Sequence, residues 1–123
     1  MRVQTQIWEC CGYGVSWELI IDLANTLPNI SPWINIPEKA TDNYIKELAK
    51  LWYNTYTGSS RIYIEYSNEC WNGEFSCYHY CVAQAKNYSS MNHVTMDNWE
   101  WYGHRVCEIR QIWDSVYGEA TSD

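Results

Sequence analysis

Apolar residues spaced three and four positions apart predict the helices of this chain. The first such set is followed by Pro28 and preceded by Ser16, a residue that favours the N-cap, and its members are Leu19, Ile20, Leu23, Ala24 and Leu27. A second set follows a predicted N-cap at Thr41 and comprises Tyr44, Ile45, Leu48, Leu51 and Trp52. Two further helices are predicted over residues 75–87 and 98–116, with a loop at 88–97 between them.

Two other segments have the composition of strands. Pro32 and Pro37 bracket one, and the Ile- and Tyr-rich residues 61–66 form the other. Residues 4–8 are a candidate for a further short strand, and Gly12 and Gly14 mark a turn after it. The order helix, strand, helix, strand, helix, helix favours an α/β fold with a parallel sheet. No internal repeat or linker divides the chain, so residues 1–123 are predicted to form a single unit.

The second predicted strand divides into two faces because side chains alternate along a strand. Ile62, Ile64 and Tyr66 form an apolar face that we expect to pack on helices. The opposite face carries Glu65 and Ser67. Glu69 follows at the carboxyl end of the strand, where α/β folds place their active sites. We expect a structural role for Glu65, satisfied by an arginine (Arg61 or Arg105) or by a hydrogen-bond network.

Composition and charge narrow the classes of partner. Eight Trp and eleven Tyr stand against one Phe, a balance that suits half-wet surfaces such as sugar-binding clefts or protein interfaces. The net charge is -7 without any Lys/Arg cluster, so neither nucleic acid nor a membrane is an expected partner. The N-terminal residues lack the apolar core of a secretory signal, which leaves localisation open.

The cysteines raise the question of a metal site. Cys77 and Cys81 are four residues apart on one predicted helix face, and His104 and Cys107 follow later. Zinc favours such ligands, but the spacing matches no common zinc module. We therefore expect buried free cysteines or a disulfide, with neither a metal nor a cofactor.

An ordered series of segments carries a family resemblance. The series is GVSWELIIDLAN, SPWINIPEKATDNYIKELAKLW and YIEYSNECWNGEF, continuing through WEWYGHRVCEIRQIW to VYG. It resembles the clan A glycoside hydrolases, cellulase-like (β/α)8-barrel enzymes whose fourth strand ends in Asn-Glu, and it covers residues 12–118. The resemblance implies a partial (β/α)8 barrel, about half of one, with parallel strands alternating with helices. It also favours a secreted protein.

The resemblance also implies roles for individual residues. Glu69 would be the general acid/base and Asn68 would hydrogen-bond the sugar hydroxyl beside the anomeric carbon. Trp71 and Trp33 would stack on sugar rings, and Asn35, like Ser67, would be a polar group of the cleft. The implied activity is retaining hydrolysis of O-glycosidic bonds in a β-linked polysaccharide.

A retaining mechanism needs a second carboxylate, which the family supplies at its seventh strand. Neither Glu74 nor Glu38 suits that role, so the nucleophile is not expected in this chain. The chain would then be a truncated gene product, a half-barrel that pairs with a copy of itself or with a complementing chain, or a non-catalytic carbohydrate-binding remnant. A small metal-stabilised protein is the weaker alternative.

Overall fold

The computed structural model describes residues 5–6, 14–27 and 29–118, and these contain four helices and two pairs of strands. The helices are α1 (Trp17–Thr26), α2 (Asp42–Thr55), α3 (Ser76–Asn92) and α4 (Asn98–Tyr117). The strands are β1 (Thr5–Gln6), β2 (Gly14–Val15), β3 (Trp33–Ile36) and β4 (Tyr63–Tyr66). β1 pairs antiparallel with β2, and β3 pairs parallel with β4.

The first two long helices begin where the sequence predicted. Ser16 Oγ accepts the Leu19 N–H at 3.3 Å, and Thr41 Oγ1 accepts the Tyr44 N–H at 3.2 Å. Each bond satisfies one of the orphan amides of a helix N-terminus, which confirms both predicted N-caps. β1 overlaps the candidate strand at 4–8, and Gly14 belongs to β2, whereas Gly12 and the rest of that candidate lie outside the described residues.

The predicted loop at 88–97 is wrong over its first half, because α3 continues to Asn92. Tyr88 packs against His104 of α4 with ring centroids 5.0 Å apart, and Ser89 Oγ accepts the Met96 N–H at 2.9 Å. These tertiary contacts hold a Ser- and Asn-rich segment in a helix that its own propensity does not favour. The actual connection to α4 is residues 93–97, which end in a capping box at Asp97.

The core lies between the apolar face of the β3–β4 sheet and the helices. Ile34, Ile36 and Tyr66 of the sheet are 0–3% exposed. Of the face predicted by alternation, Tyr66 is buried, and Ile62 and Ile64 are partly buried against the core. The loop after β4 contributes Cys70, and the helices contribute the rest of this buried set: Ile21 and Ala24, Ile45, Leu48, Ala49 and Trp52, Cys77 and Cys81, Ile109 and Trp113. The helices thus cover one face of the sheet, and the other face carries the candidate site.

The predicted partial (β/α)8 barrel is wrong. The order of the elements from α1 onward is as predicted, and β3–α2–β4 is a parallel β-α-β unit. Beyond it the alternation stops: α3 and α4 follow each other through the short segment 93–97 and pack together, and α4 also packs on α2 and β4. In the ranges that the structure describes, the parallel sheet has two strands, so the architecture is a helical layer on a small sheet.

Candidate functional site

One face of the β3–β4 sheet remains open in the described part of the chain. The register pairs Trp33 with Tyr63 and Asn35 with Glu65, and all four side chains lie on this open face. Trp33 is 67% exposed and Tyr63 is 45% exposed. Their rings stack with centroids 5.6 Å apart and planes 25° apart. The start of the sheet is therefore an exposed aromatic platform beside a polar pair.

Glu65 is held by a hydrogen-bond network on this open face. Its Oε2 accepts the Trp33 indole N–H at 2.9 Å and an Asn35 amide N–H at 2.8 Å. Of the two arrangements expected for Glu65, the hydrogen-bond network is the one found, and Arg105 lies on α4, where it pairs with Asp42 and Glu108. An arginine on the helical side of the sheet cannot reach a carboxylate on the opposite face.

The backbone after β4 leaves the ladder through two residues in left-handed conformation. Ser67 has φ 58° and Glu69 has φ 49°, and neither is a glycine. Ser67 N–H still donates to Ile36 O at 2.7 Å, so it is the last ladder contact before the chain turns. Such conformations cost about 1–3 kcal/mol each and persist where surrounding contacts fix them, typically at functional sites. We call residues 67–69 the rim.

Each backbone carbonyl of the rim has its own donor. Ser67 O accepts from Asn35 Nδ2 at 2.5 Å, and Glu69 O accepts from Asn72 N at 2.9 Å. Between them, Asn68 O accepts from the Cys77 thiol at 3.1 Å. A strand, a helix and a loop therefore converge on three successive residues.

The sequence-predicted site residues fall into two groups. Asn68, half-buried Glu69 and Trp71 (62% exposed) lie on the rim and its following loop, and the Glu69 carboxylate has no partner among the described residues. Trp33 and Asn35 lie on β3, joined through Glu65. Tyr63, opposite Trp33, precedes Ser67 by four residues, about 13 Å of strand. The structure thus brings Asn35 to the rim and places Trp33 at the far end of the face.

Tyr63 is a site residue that the sequence reasoning missed. It is two residues before Glu65 in β4, so side-chain alternation already placed both on one face. The Trp33 ring stacked on it could not be found from the sequence, because the register between the two strands was unknown.

Three of the cysteines are buried and free beneath the rim. Cys70, Cys77 and Cys81 are 6%, 4% and 1% exposed, and Cys107 is free and exposed. Burial, together with the neighbouring thiols, raises the pKa of Cys70 to about 12. No cluster of three or more metal-ligating side chains occurs in the described ranges. Cys10 and Cys11 lie outside those ranges.

The two carboxylates considered as a nucleophile lie outside the open face. Glu38 Oε1 accepts from Ser76 Oγ at 3.3 Å, beside the start of α3, and Glu74 is exposed in the loop before that helix. Glu38 also anchors β4, because its backbone carbonyl accepts the buried Tyr66 hydroxyl at 2.9 Å.

Comparison of the chain with models of protein families, with curated proteins and with solved structures found no match. The resemblance to clan A glycoside hydrolases therefore stays a prediction. None of the described helices combines the length and apolar character that a membrane crossing requires.

Proposed function

We propose that this chain binds a β-linked carbohydrate on the open face of the β3–β4 sheet, as a glycoside hydrolase-like chain. The observation that carries the proposal is the stacked, exposed Trp33–Tyr63 pair beside the Asn35–Glu65 pair and the rim. Flat aromatic surface for a ring and a few fixed polar groups for its hydroxyls are what a sugar site requires.

The polar groups of this face retain capacity for a ligand. Glu65 Oε2 receives both of the carboxylate's hydrogen bonds, so Oε1 has no donor within the described residues. Asn35 donates both of its bonds through Nδ2, and its Oδ1 is likewise without a donor in that part of the chain. These oxygens can accept hydrogen bonds from sugar hydroxyls. The exposed Asn68 side-chain amide at the rim can both donate and accept hydrogen bonds.

The length of the face favours an oligosaccharide over a single sugar. About 13 Å of strand lies between the aromatic platform and the rim. In this arrangement one sugar ring packs on the exposed surface of Trp33, whose ring is itself stacked on Tyr63, and a later residue of the same ligand reaches Asn68 and Glu69. Trp71, exposed after the rim, supplies a second stacking surface.

Retaining glycoside hydrolysis is the second candidate function, favoured by Glu69. Its left-handed backbone presents a half-buried carboxylate at the rim, as expected for a general acid/base. That mechanism needs a second carboxylate about 5 Å away. Binding is the function assigned first, because it needs only the groups already described on this face and no second carboxylate beside Glu69.

Calorimetric titration of the purified chain with cellotetraose tests the binding proposal. Loss of one stacking surface in Trp33→Ala is expected to weaken binding about tenfold. Trp99→Ala removes a tryptophan that is 54% exposed at the start of α4, and it should leave the affinity unchanged. Absence of cellotetraose binding by the unmodified chain, or equal losses in both variants, would contradict the proposal.

Hydrolysis of aryl β-glycosides by the same protein tests the second candidate. Turnover that disappears in Glu69→Gln would establish catalysis with a second carboxylate supplied to the site. Binding without turnover in either protein would restrict the function to recognition.

A further inference from the structure

We propose that Cys77 is a positioning residue, whose thiol holds the Asn68–Glu69 peptide in the orientation that presents both side chains to a ligand. The proposal rests on the proposed function and extends it to a residue on α3, outside the open face. Cys77 contacts no ligand in this arrangement, and it acts through the backbone of the rim.

Cys77 is held in place by the packing of α3 in the core. It is the second residue of α3 and is 4% exposed, in the core cluster that also contains Tyr66 and Ile36. Its Sγ lies 3.1 Å from Asn68 O, a hydrogen bond that spans nine residues of sequence. The donor therefore belongs to the packed helix, and the acceptor belongs to the rim.

The hydrogen bond from Cys77 to Asn68 O restrains two backbone dihedral angles of the rim. The carbonyl of Asn68 and the amide of Glu69 form one planar peptide group. Rotation of that group changes ψ of Asn68 and φ of Glu69 together. A donor that fixes Asn68 O thereby holds the positive φ of Glu69, 49°, which a residue with a Cβ rarely adopts.

The donors that bind the two neighbouring carbonyls cannot replace the Cys77 bond to Asn68 O. The donors to Ser67 O and Glu69 O come from Asn35 and from the Asn72 backbone. They fix the peptide groups before and after the one that carries Asn68 O. Loss of the Cys77 donor leaves Asn68 O without a donor among the described residues, so we expect the middle peptide group to sample other orientations.

Cys81 provides a matched control on the same helix. It lies one turn further along α3, is 1% exposed, and belongs to the same core. Among the described residues, no hydrogen bond joins its thiol to the rim backbone, whereas Cys77 donates to Asn68 O. Truncation of either cysteine removes a comparable buried thiol, but only Cys77 donates to Asn68.

Backbone NMR of the chain without sugar is the first test, with the variants Cys77→Ala, Cys77→Ser and Cys81→Ala. Cys77→Ala should shift and broaden the amide signals of residues 68 and 69, and Cys77→Ser, which keeps a donor, should restore them. Cys81→Ala should leave those signals in place. If Cys77→Ala does not fold, Cys77→Val fills the volume without a strong donor and takes its place.

Cellotetraose affinity is the second test. We expect the Kd of Cys77→Ala to be about fivefold higher, consistent with the loss of one neutral hydrogen bond, and the Kd of Cys77→Ser to return to that of the unmodified chain. Equal effects of Cys81→Ala on the rim signals, or unchanged rim signals in Cys77→Ala, would overturn the positioning role. Failure of the unmodified chain to bind sugar would overturn the proposed function alone, because the NMR comparison uses no ligand.

Discussion

Asn35→Ala is the substitution whose effect follows most directly from the site. The Asn35 amide donates to Glu65 Oε2 at 2.8 Å and to Ser67 O at 2.5 Å, so one side chain ties β3 to both β4 and the rim. Alanine removes both donors. Among the described residues, it leaves Glu65 with the Trp33 indole as its hydrogen-bond donor and Ser67 O without its side-chain donor.

The expected loss of stability is the sum of two unequal hydrogen bonds. A bond to a charged acceptor contributes about 1.5–3 kcal/mol and a neutral one about 1 kcal/mol. The Glu65 bond is solvent-exposed, so water replaces part of it and the lower value applies. We expect Asn35→Ala to lower the free energy of unfolding by about 2.5 kcal/mol, a change of about 70-fold in the folding equilibrium constant.

Urea unfolding at pH 7, followed by tryptophan fluorescence, measures this change. Ser59→Ala, in the exposed loop before β4, is the surface control and should alter stability by less than about 0.5 kcal/mol. In a Glu65→Ala background only the Ser67 bond remains, so Asn35→Ala should cost about 1 kcal/mol there. A loss for Asn35→Ala no larger than that for Ser59→Ala, or equal losses in both backgrounds, would refute the reasoning.

Three further substitutions test other parts of the fold by urea or thermal unfolding. Asp97→Ala removes the capping box of α4 and should cost about 1 kcal/mol, and no change would contradict the cap. Arg105→Met removes ion pairs to Asp42 and Glu108, and since both carboxylates stay hydrated we expect a loss of about 1–2 kcal/mol. The pKa of Cys70 is raised to about 12, so the folded chain favours the protonated thiol, and this preference contributes to the stability of the fold. That contribution is complete below about pH 9, where the unfolded thiol is also protonated, and is lost as pH rises towards 12. The stability of the native chain relative to Cys70→Val should therefore fall by about 1 kcal/mol from pH 8 to pH 10, and a constant difference would contradict the shift.

Local patterns in the sequence predicted local structure well. The helix starts at Ser16 and Thr41 followed from capping chemistry, and the division of β4 into a buried and an open face followed from alternation. Each of these depends on interactions within a few residues, which the sequence displays directly. The extension of α3 to Asn92 depends on contacts with α4, and the sequence did not reveal it.

The number of paired strands could not be predicted in the same way. A series of alternating helices and strands is consistent with a barrel, with an open sheet, or with a single β-α-β unit covered by helices. The difference lies in which elements pack together, and here α4 packs on α2, α3 and β4. The predicted order was the available signal, because it already ended in two consecutive helices with no strand between them.

The candidate site was predicted in its residue types but not in its connections. The sequence placed Glu65 on the open face and left an arginine or a hydrogen-bond network as its partner, but it could not name Asn35, because the register that brings Asn35 opposite Glu65 is a property of strand pairing. Ser67 and Glu69 adopt left-handed conformations although neither is a glycine, so no residue type in the sequence indicates these conformations. The contact between Cys77 and Asn68 O depends on how α3 docks below the rim.

The end of β4 at Asn68-Glu69 has a physical explanation that does not depend on catalysis. Ser67 makes the last ladder bond to Ile36 O and then turns the chain through a positive φ, so the next residues leave the sheet. Contacts from β3, α3 and the following loop hold that turn, which sets the Asn68 amide and the Glu69 carboxylate at the edge of a face that already carries an aromatic platform. Recognition of a carbohydrate requires only this combination, whereas cleavage also requires a second carboxylate near Glu69. The Trp33 and Asn35 bonds fix Glu65 through Oε2 and leave Oε1 to accept from a ligand hydroxyl, so Glu65 serves recognition on this face whether or not cleavage occurs at Glu69.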